Sequence, residues 1–172
     1  MSYCAGVGLG MSFEMELAAR GGCVLVFDPS PTGVRTAERS DTSKLTFYPI
    51  GLAAKSSVYE FSLPSNPGEG SYSVAREGLE TARFECWDLA TIMQKHGHSS
   101  IDLLKMDIEG FEYDIVDDIL RRSIPVRQIC LEFHPWLSRR GRTWKTIGSL
   151  YRAGYRIIYK HRGDYTFLRS GT

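Results

Sequence analysis

Two carboxylates and a glycine end an apolar run in Leu104-Lys105-Met106-Asp107-Ile108-Glu109-Gly110-Phe111-Glu112. In an open α/β sheet ligands sit beyond the carboxyl ends of the strands, so acids at such a place are set for chemistry. As plain caps they would instead complement the dipole of the helix that follows. A second apolar run, Gln128 to Phe133, ends in His134, two residues after Glu132. Imidazole, with an ordinary pKa of roughly 6.5, is well matched to taking a proton at neutral pH. His134 is therefore the candidate general base, with Asp107 and Glu109 completing the catalytic set and a carboxylate orienting the ring. The alternative is a structural histidine bonded to a loop carbonyl. Asp107, Glu109, Glu132 and His134 also offer the hard donors of a divalent cation, but their spacing is not diagnostic and no metal is assigned.

Near the N-terminus, Tyr3-Cys4-Ala5-Gly6-Val7-Gly8-Leu9-Gly10 is a G-x-G-x-G turn opening a segment, Ser12 to Arg20, in which Phe13, Leu17 and Ala18 recur at helical spacing. Eighteen residues after Gly10, the strand-like Cys23-Val24-Leu25-Val26-Phe27 ends in Asp28-Pro29. Glycines let a ligand approach the backbone, and an acid at the end of a second strand can accept from both hydroxyls of a ribose. This is a nucleoside-binding layout, with an unliganded tight loop as its bland counterpart.

Gly6-Val7-Gly8, Phe27-Asp28-Pro29-Ser30, Ile50-Gly51-Leu52, the Lys105 to Gly110 block and Gln128 to His134 resemble, in that order, the successive motifs of FkbM-type methyltransferases. The resemblance covers nearly the whole chain. It implies a class I Rossmann-like fold, S-adenosylmethionine (SAM) as cofactor, and methylation of a hydroxyl oxygen on a small-molecule or sugar-like acceptor. The cofactor residues it implies are Gly6, Val7, Gly8, Asp28, Pro29, Gly51, Leu52 and Asp107. Only Met1 to Ala5 precede the glycines, so residues 1–172 are expected to be a single methyltransferase domain lacking the N-terminal part of the family's domain. Two other classes share parts of the pattern. A nicotinamide-dependent dehydrogenase has the glycine turn and the ribose acid but not the Asp-x-Glu-Gly strand end. A non-catalytic nucleoside-binding module is compatible with the short N-terminus.

Positioning these groups takes alternating strands and helices, the pattern of a parallel sheet covered on both faces. A second helix is expected over Pro31 to Arg39, a third strand over Leu45 to Ile50, and a helix over Asp88 to His96 after a short strand, Arg83 to Trp87. Val58 to Phe61 and Tyr72 to Val74 flank a Gly/Pro/Ser-rich stretch, 64–70, that reads as a surface hairpin with a mobile tip. The acid strand leads into a helix over Phe111 to Arg121, and a further helix is expected around Trp144 to Arg152. Tyr155 to Lys160 and Tyr165 to Arg169 read as an antiparallel C-terminal hairpin, which suits a methyltransferase sheet better than a dehydrogenase one.

The chain of 172 residues, 42% apolar and 24% charged, has the length and balance of one globular domain. No apolar run is long enough to span a bilayer, and the N-terminus lacks a signal-peptide pattern. Cys4, Cys23, Cys86 and Cys130 are scattered, read as small buried hydrophobes, and favour a reducing compartment such as the cytoplasm. Residues 1–120 hold nine Lys and Arg against eighteen Asp and Glu, whereas 121–172 hold twelve against two. Arg139, Arg140, Arg142 and Lys145 could draw an anionic acceptor or meet the acidic half of another subunit; as solvated residues they would do neither. They are not interleaved with aromatic stacking platforms, so nucleic acid is not expected as a partner.

Overall fold

The computed structural model describes residues 1–64, 66, 70–135 and 141–171. Its main sheet has seven strands: β1 (Ser2–Ala5), β2 (Val24–Phe27), β3 (Thr46–Tyr48), β8 (Ile101–Met106), β9 (Val126–Glu132), β10 (Tyr155–His161) and β11 (Asp164–Arg169). Their order is β10-β11-β9-β8-β1-β2-β3. Every pairing from β9 to β3 is parallel, while β11 runs antiparallel to both neighbours, giving the expected reversed strand. The chain crosses from β1 outward to β2 and later returns to β8 on the other side of β1. The reversal of order leaves a crevice at the carboxyl ends of β1 and β8.

Alternation in the strands assigns the two faces. Tyr3, Ala5, Leu25 and Phe27 point into the larger core, whereas Cys4, Val24 and Val26 point into a smaller one shared with Ala18 and Ala37. The smaller core is covered by α1 (Ser12–Ala19) and α2 (Pro31–Glu38). The larger one lies under α3 (Leu89–His96), α4 (Glu112–Arg122) and α5 (Arg142–Arg152), which bury Ile92, Ile115, Ile119 and Leu150 among others. Burying each such side chain contributes about 1.5–3 kcal/mol. Polar residues set the helix starts. Ser30 Oγ accepts from Gly33 N–H ahead of α2, and Asp88 does the same for Thr91 N–H ahead of α3.

α1 departs from its apolar pattern. Phe13 is largely exposed, and the buried face carries Glu14 and Ala18 instead. The reason is a partner on another element: Lys105 Nζ lies 3.5 Å from Glu14 Oε1.

The hairpin expected in the middle of the chain is there, as β5 (Ser57–Ser62) and β6 (Ser73–Val74), but it is part of a second sheet. With β4 (Gly51–Leu52) and β7 (Thr81–Trp87) it forms the order β4-β7-β5-β6. Most of the expected mobile tip, positions 65 and 67–69, lies outside the described residues. The four cysteines are free, and Cys23, expected to be buried in a strand, is exposed just ahead of β2. Among the described residues no helix is long and apolar enough to cross a membrane.

Candidate active site

The glycine turn leaves β1 and is pinned from three directions. Gly6 N–H donates to Phe27 O at 3.0 Å, and the Lys105 ammonium donates to Gly6 O. The third constraint is close approach: with φ at +82°, a Cβ on Gly6 would stand 1.7 Å from Asp107 O, so only glycine fits where β1 meets β8. Gly8, also at positive φ, has open space where a Cβ would be.

Asp28, at the end of β2, is 5% exposed and braces this turn. Its Oδ2 accepts from Val7 N–H at 2.8 Å and Gly8 N–H at 3.2 Å, and Oδ1 accepts from Ser30 N–H at 2.8 Å. Gly33 must be glycine here too, since its Cβ would lie 2.2 Å from Asp28 Cγ. Three of the carboxylate's roughly four lone-pair sites are thus taken by the protein's own main chain.

A cavity of about 260 Å³ opens above the turn. Gly6, Val7, Gly8, Asp28 and Pro29 form one wall with Gly51 and Leu52, so every residue expected to hold the cofactor is gathered here, Asp107 included. Glu109 and Phe111 line the far end, and Phe61 of β5 with Gly70, Ser71 and Tyr72, just ahead of β6, forms a roof. The arm carrying the roof rests on both halves of the site. Val74 N–H donates to Glu109 O at 3.1 Å, and Gly70 packs so closely on Thr32 of α2 that a Cβ would come within 2.6 Å of its methyl.

The acid loop is held by a residue the sequence reading left without a role. Glu112, in the first turn of α4, is 0% exposed. Its Oε1 accepts from Ile108 N–H at 3.2 Å, its Oε2 from Gly110 N–H at 2.9 Å, and His134 Nδ1–H donates to Oε1 at 2.9 Å. Asp107 and Glu109 therefore do not act as the caps of α4, which has no side-chain cap at Phe111. Glu109 takes the left-handed conformation, φ 52°, which an L-residue adopts only under constraint.

His134 is 2% exposed and stands behind Glu109 instead of on the cavity wall. Nε2 lies 3.4 Å from Glu109 Oε2 and 3.9 Å from Asp107 Oδ1. Burial alone would lower its pKa, but the hydrogen bond to Glu112 and the charges of Glu112, Glu109 and Asp107 outweigh this and raise it to about 9. A ring that holds its proton at neutral pH has no lone pair with which to take another, which weighs against His134 as a base poised near neutrality. Burial raises the Glu109 pKa, reinforced by Asp107 and Glu112 and opposed by His134 and Ser71. Burial and the Asp107 charge likewise raise that of Glu132. Asp107, Glu132 and His134 bring one donor atom each to within 4.8 Å of one another, close enough for a cation to bridge, and a cation there would have to displace the proton from the ring.

The basic cluster is only partly in view. Arg139 and Arg140 lie outside the described residues. Arg142 pairs with Asp114 and, at 3.6 Å, with Asp117, its guanidinium over the Tyr113 ring. The charged residues on the described cavity wall, Asp28, Asp107 and Glu109, are all acidic.

The FkbM methyltransferase from Methylobacillus flagellatus KT shares this fold, with a TM-score of 0.59 and 14% identity over 97% of this chain and 42% of that one. The magnesium protoporphyrin IX methyltransferase of Synechocystis PCC 6803, solved with bound SAM, superposes with a TM-score of 0.54 and 16% identity over 99% of this chain and 70% of that one. The METTL16 methyltransferase domain gives 0.56 and 10%, over 99% and 59%. At such identities the likeness is one of fold. The chain spans less than half the length of the FkbM structure it matches. No curated protein sequence matches it. The sequence model of the methyltransferase FkbM domain matches residues 6–157, and the chain belongs to that family of SAM-dependent methyltransferases, with its class I α/β fold.

Proposed function

We propose that residues 1–172 act as one methyltransferase domain, moving a methyl group from SAM to a hydroxyl oxygen of a small-molecule or sugar-like acceptor, with Glu109 as the general base. The observation that carries this reading is that the braced glycine turn and the acid loop face each other in one cavity. Open space at Gly8 provides a cradle for the cofactor, with Gly6, Val7, Pro29, Gly51 and Leu52 around it. Asp28 would accept from one ribose hydroxyl through the free lone pair of Oδ1.

When bound, the cofactor supplies an electrophilic methyl on a sulfonium, whose C–S bond breaks as the C–O bond forms and leaves the electron pair on sulfur. The chain's own contribution is alignment and the proton. Glu109 lines the cavity, and its raised pKa brings it toward the range in which a carboxylate takes a hydroxyl proton usefully; such a base is worth about 10²–10⁴ in rate. The His134 imidazolium behind it keeps the carboxylate charged between turnovers, and Asp107 flanks the same end. With only acids on the described wall, the favoured acceptor is neutral.

Calorimetric titration with SAM, S-adenosylhomocysteine and NAD tests the cofactor; tight binding of NAD alone would overturn the reading. Incubation with methyl-labelled SAM and a panel of neutral polyols, phenols and amines tests the acceptor. Label recovered only on nitrogen would sink the oxygen assignment, and turnover abolished by a chelator would replace the base with a metal.

A further inference from the structure

Glu112 is the acid of this cluster that solvent does not touch, and its carboxylate ties the loop after β8 to the residue beyond the end of β9. Two of its bonds go to the main chain of the acid loop, at Ile108 and Gly110, on either side of Glu109. The third goes to His134, beyond the end of β9. Such a carboxylate fixes the rotation of the imidazole and dictates which nitrogen faces outward.

We propose that Glu112 is the positioning residue of this active site: it clamps the acid loop so that Glu109 stays in its left-handed conformation on the cavity wall, and it turns His134 so that Nε2–H faces Glu109 and Asp107. The proposal rests on the methyl-transfer reading in taking Glu109 as the base. The groups facing the ring are Glu112 of α4, Asp107 and Glu109 of the loop after β8, and Glu132 of β9. Among these four acids Glu112 meets Nδ1, while Asp107 and Glu109 face Nε2. An acid placed there simply to complement the α4 dipole would affect stability and leave the ring unchanged.

Glu112→Gln separates these accounts. A glutamine keeps one carbonyl for the loop amides but has no charge, and its NH₂ makes Nδ1 an acceptor. With ¹⁵N-labelled histidine, both ring nitrogens of His134 should carry protons near neutral pH in the parent protein. In Glu112→Gln the titration midpoint should fall by about one pH unit or more, leaving the Nε2–H tautomer. SAM affinity should stay within about threefold, while methyl transfer drops about tenfold or more and its pH profile shifts. An unchanged His134 titration in the variant overturns the proposal. Should Glu112→Gln fail to fold, the parent spectrum decides alone: a His134 with no proton on Nδ1 near neutral pH is fatal to the clamp. A parent protein that shows the expected ring signals but methylates no hydroxyl would refute the methyl-transfer reading and leave the Glu112 geometry standing.

Discussion

No side chain fits at Gly6, because a Cβ there would stand 1.7 Å from the main-chain oxygen of Asp107. The glycine turn and the loop that carries the acids touch backbone to backbone. Gly6→Ala would also force an L-residue to a φ of +82°. We expect it to lower stability by about 3 kcal/mol or more, read from urea unfolding. An alanine variant as stable as the parent would mean that β1 and β8 end farther apart than described.

Asp28 has two roles that one substitution exposes together. Asp28→Ala deprives three main-chain N–H groups of their acceptor, and each buried donor left unsatisfied costs about 1–3 kcal/mol. Urea unfolding without cofactor should show that loss. Calorimetry on the folded fraction should show SAM binding weaker by about 1.5–3 kcal/mol, as for loss of a charge-assisted hydrogen bond. Full affinity in a destabilised variant would make Asp28 a brace only.

His134 makes stability depend on pH in a defined window. Its folded pKa of about 9 lies above the roughly 6.5 of an unfolded histidine, so the folded state holds the proton more tightly. The resulting stabilisation is fully present below about pH 6.5 and is lost as pH rises through about 9. The urea midpoint of the parent should fall across that window, and that of His134→Gln should fall less. A parent midpoint that stays flat from neutral to alkaline pH would argue against a buried imidazolium.

Turnover and cofactor binding should separate at the acid end. Glu109→Gln is expected to lower methyl transfer about 10²-fold or more, with SAM affinity within a few-fold, as for removal of a general base. His134→Ala should also reduce turnover more than affinity, because it leaves Glu112 and Glu109 facing each other without a cation between them. Normal turnover of Glu109→Gln on a verified acceptor would remove Glu109 from the mechanism.

The parts of this site legible in the sequence are those written in continuous runs. The glycine turn, Phe27-Asp28-Pro29 and the Lys105 to Gly110 block each join a short strand to a loop, and the main sheet follows from their order. The second sheet is not written that way. β4 and β6 have two residues each, too few for any periodicity, and β4 finds its partner through Gly51 and Leu52 pairing with the distant Cys86 and Trp87. The charge of His134 was equally hidden, since its decisive partner lies 22 positions away on a helix face and acts through burial. Glu14 is not legible in the sequence because a buried acid breaks the apolar spacing of α1, and its partner, Lys105, sits on the distant strand β8.

Gly70 packs on Thr32 and Val74 donates to Glu109 O, yet neither β5 nor β6 adds a strand to the main sheet. On the proposed function, donor and acceptor would thus be read by different stretches of chain. The floor is tied into the core at Gly6 and Gly33, where even a methyl group is not tolerated, whereas the roof is built on the second sheet, in which β5 pairs with β7. A roof on a separate sheet can change its chemistry while the floor keeps its shape, so on the proposed function one cofactor grip would serve a range of acceptors.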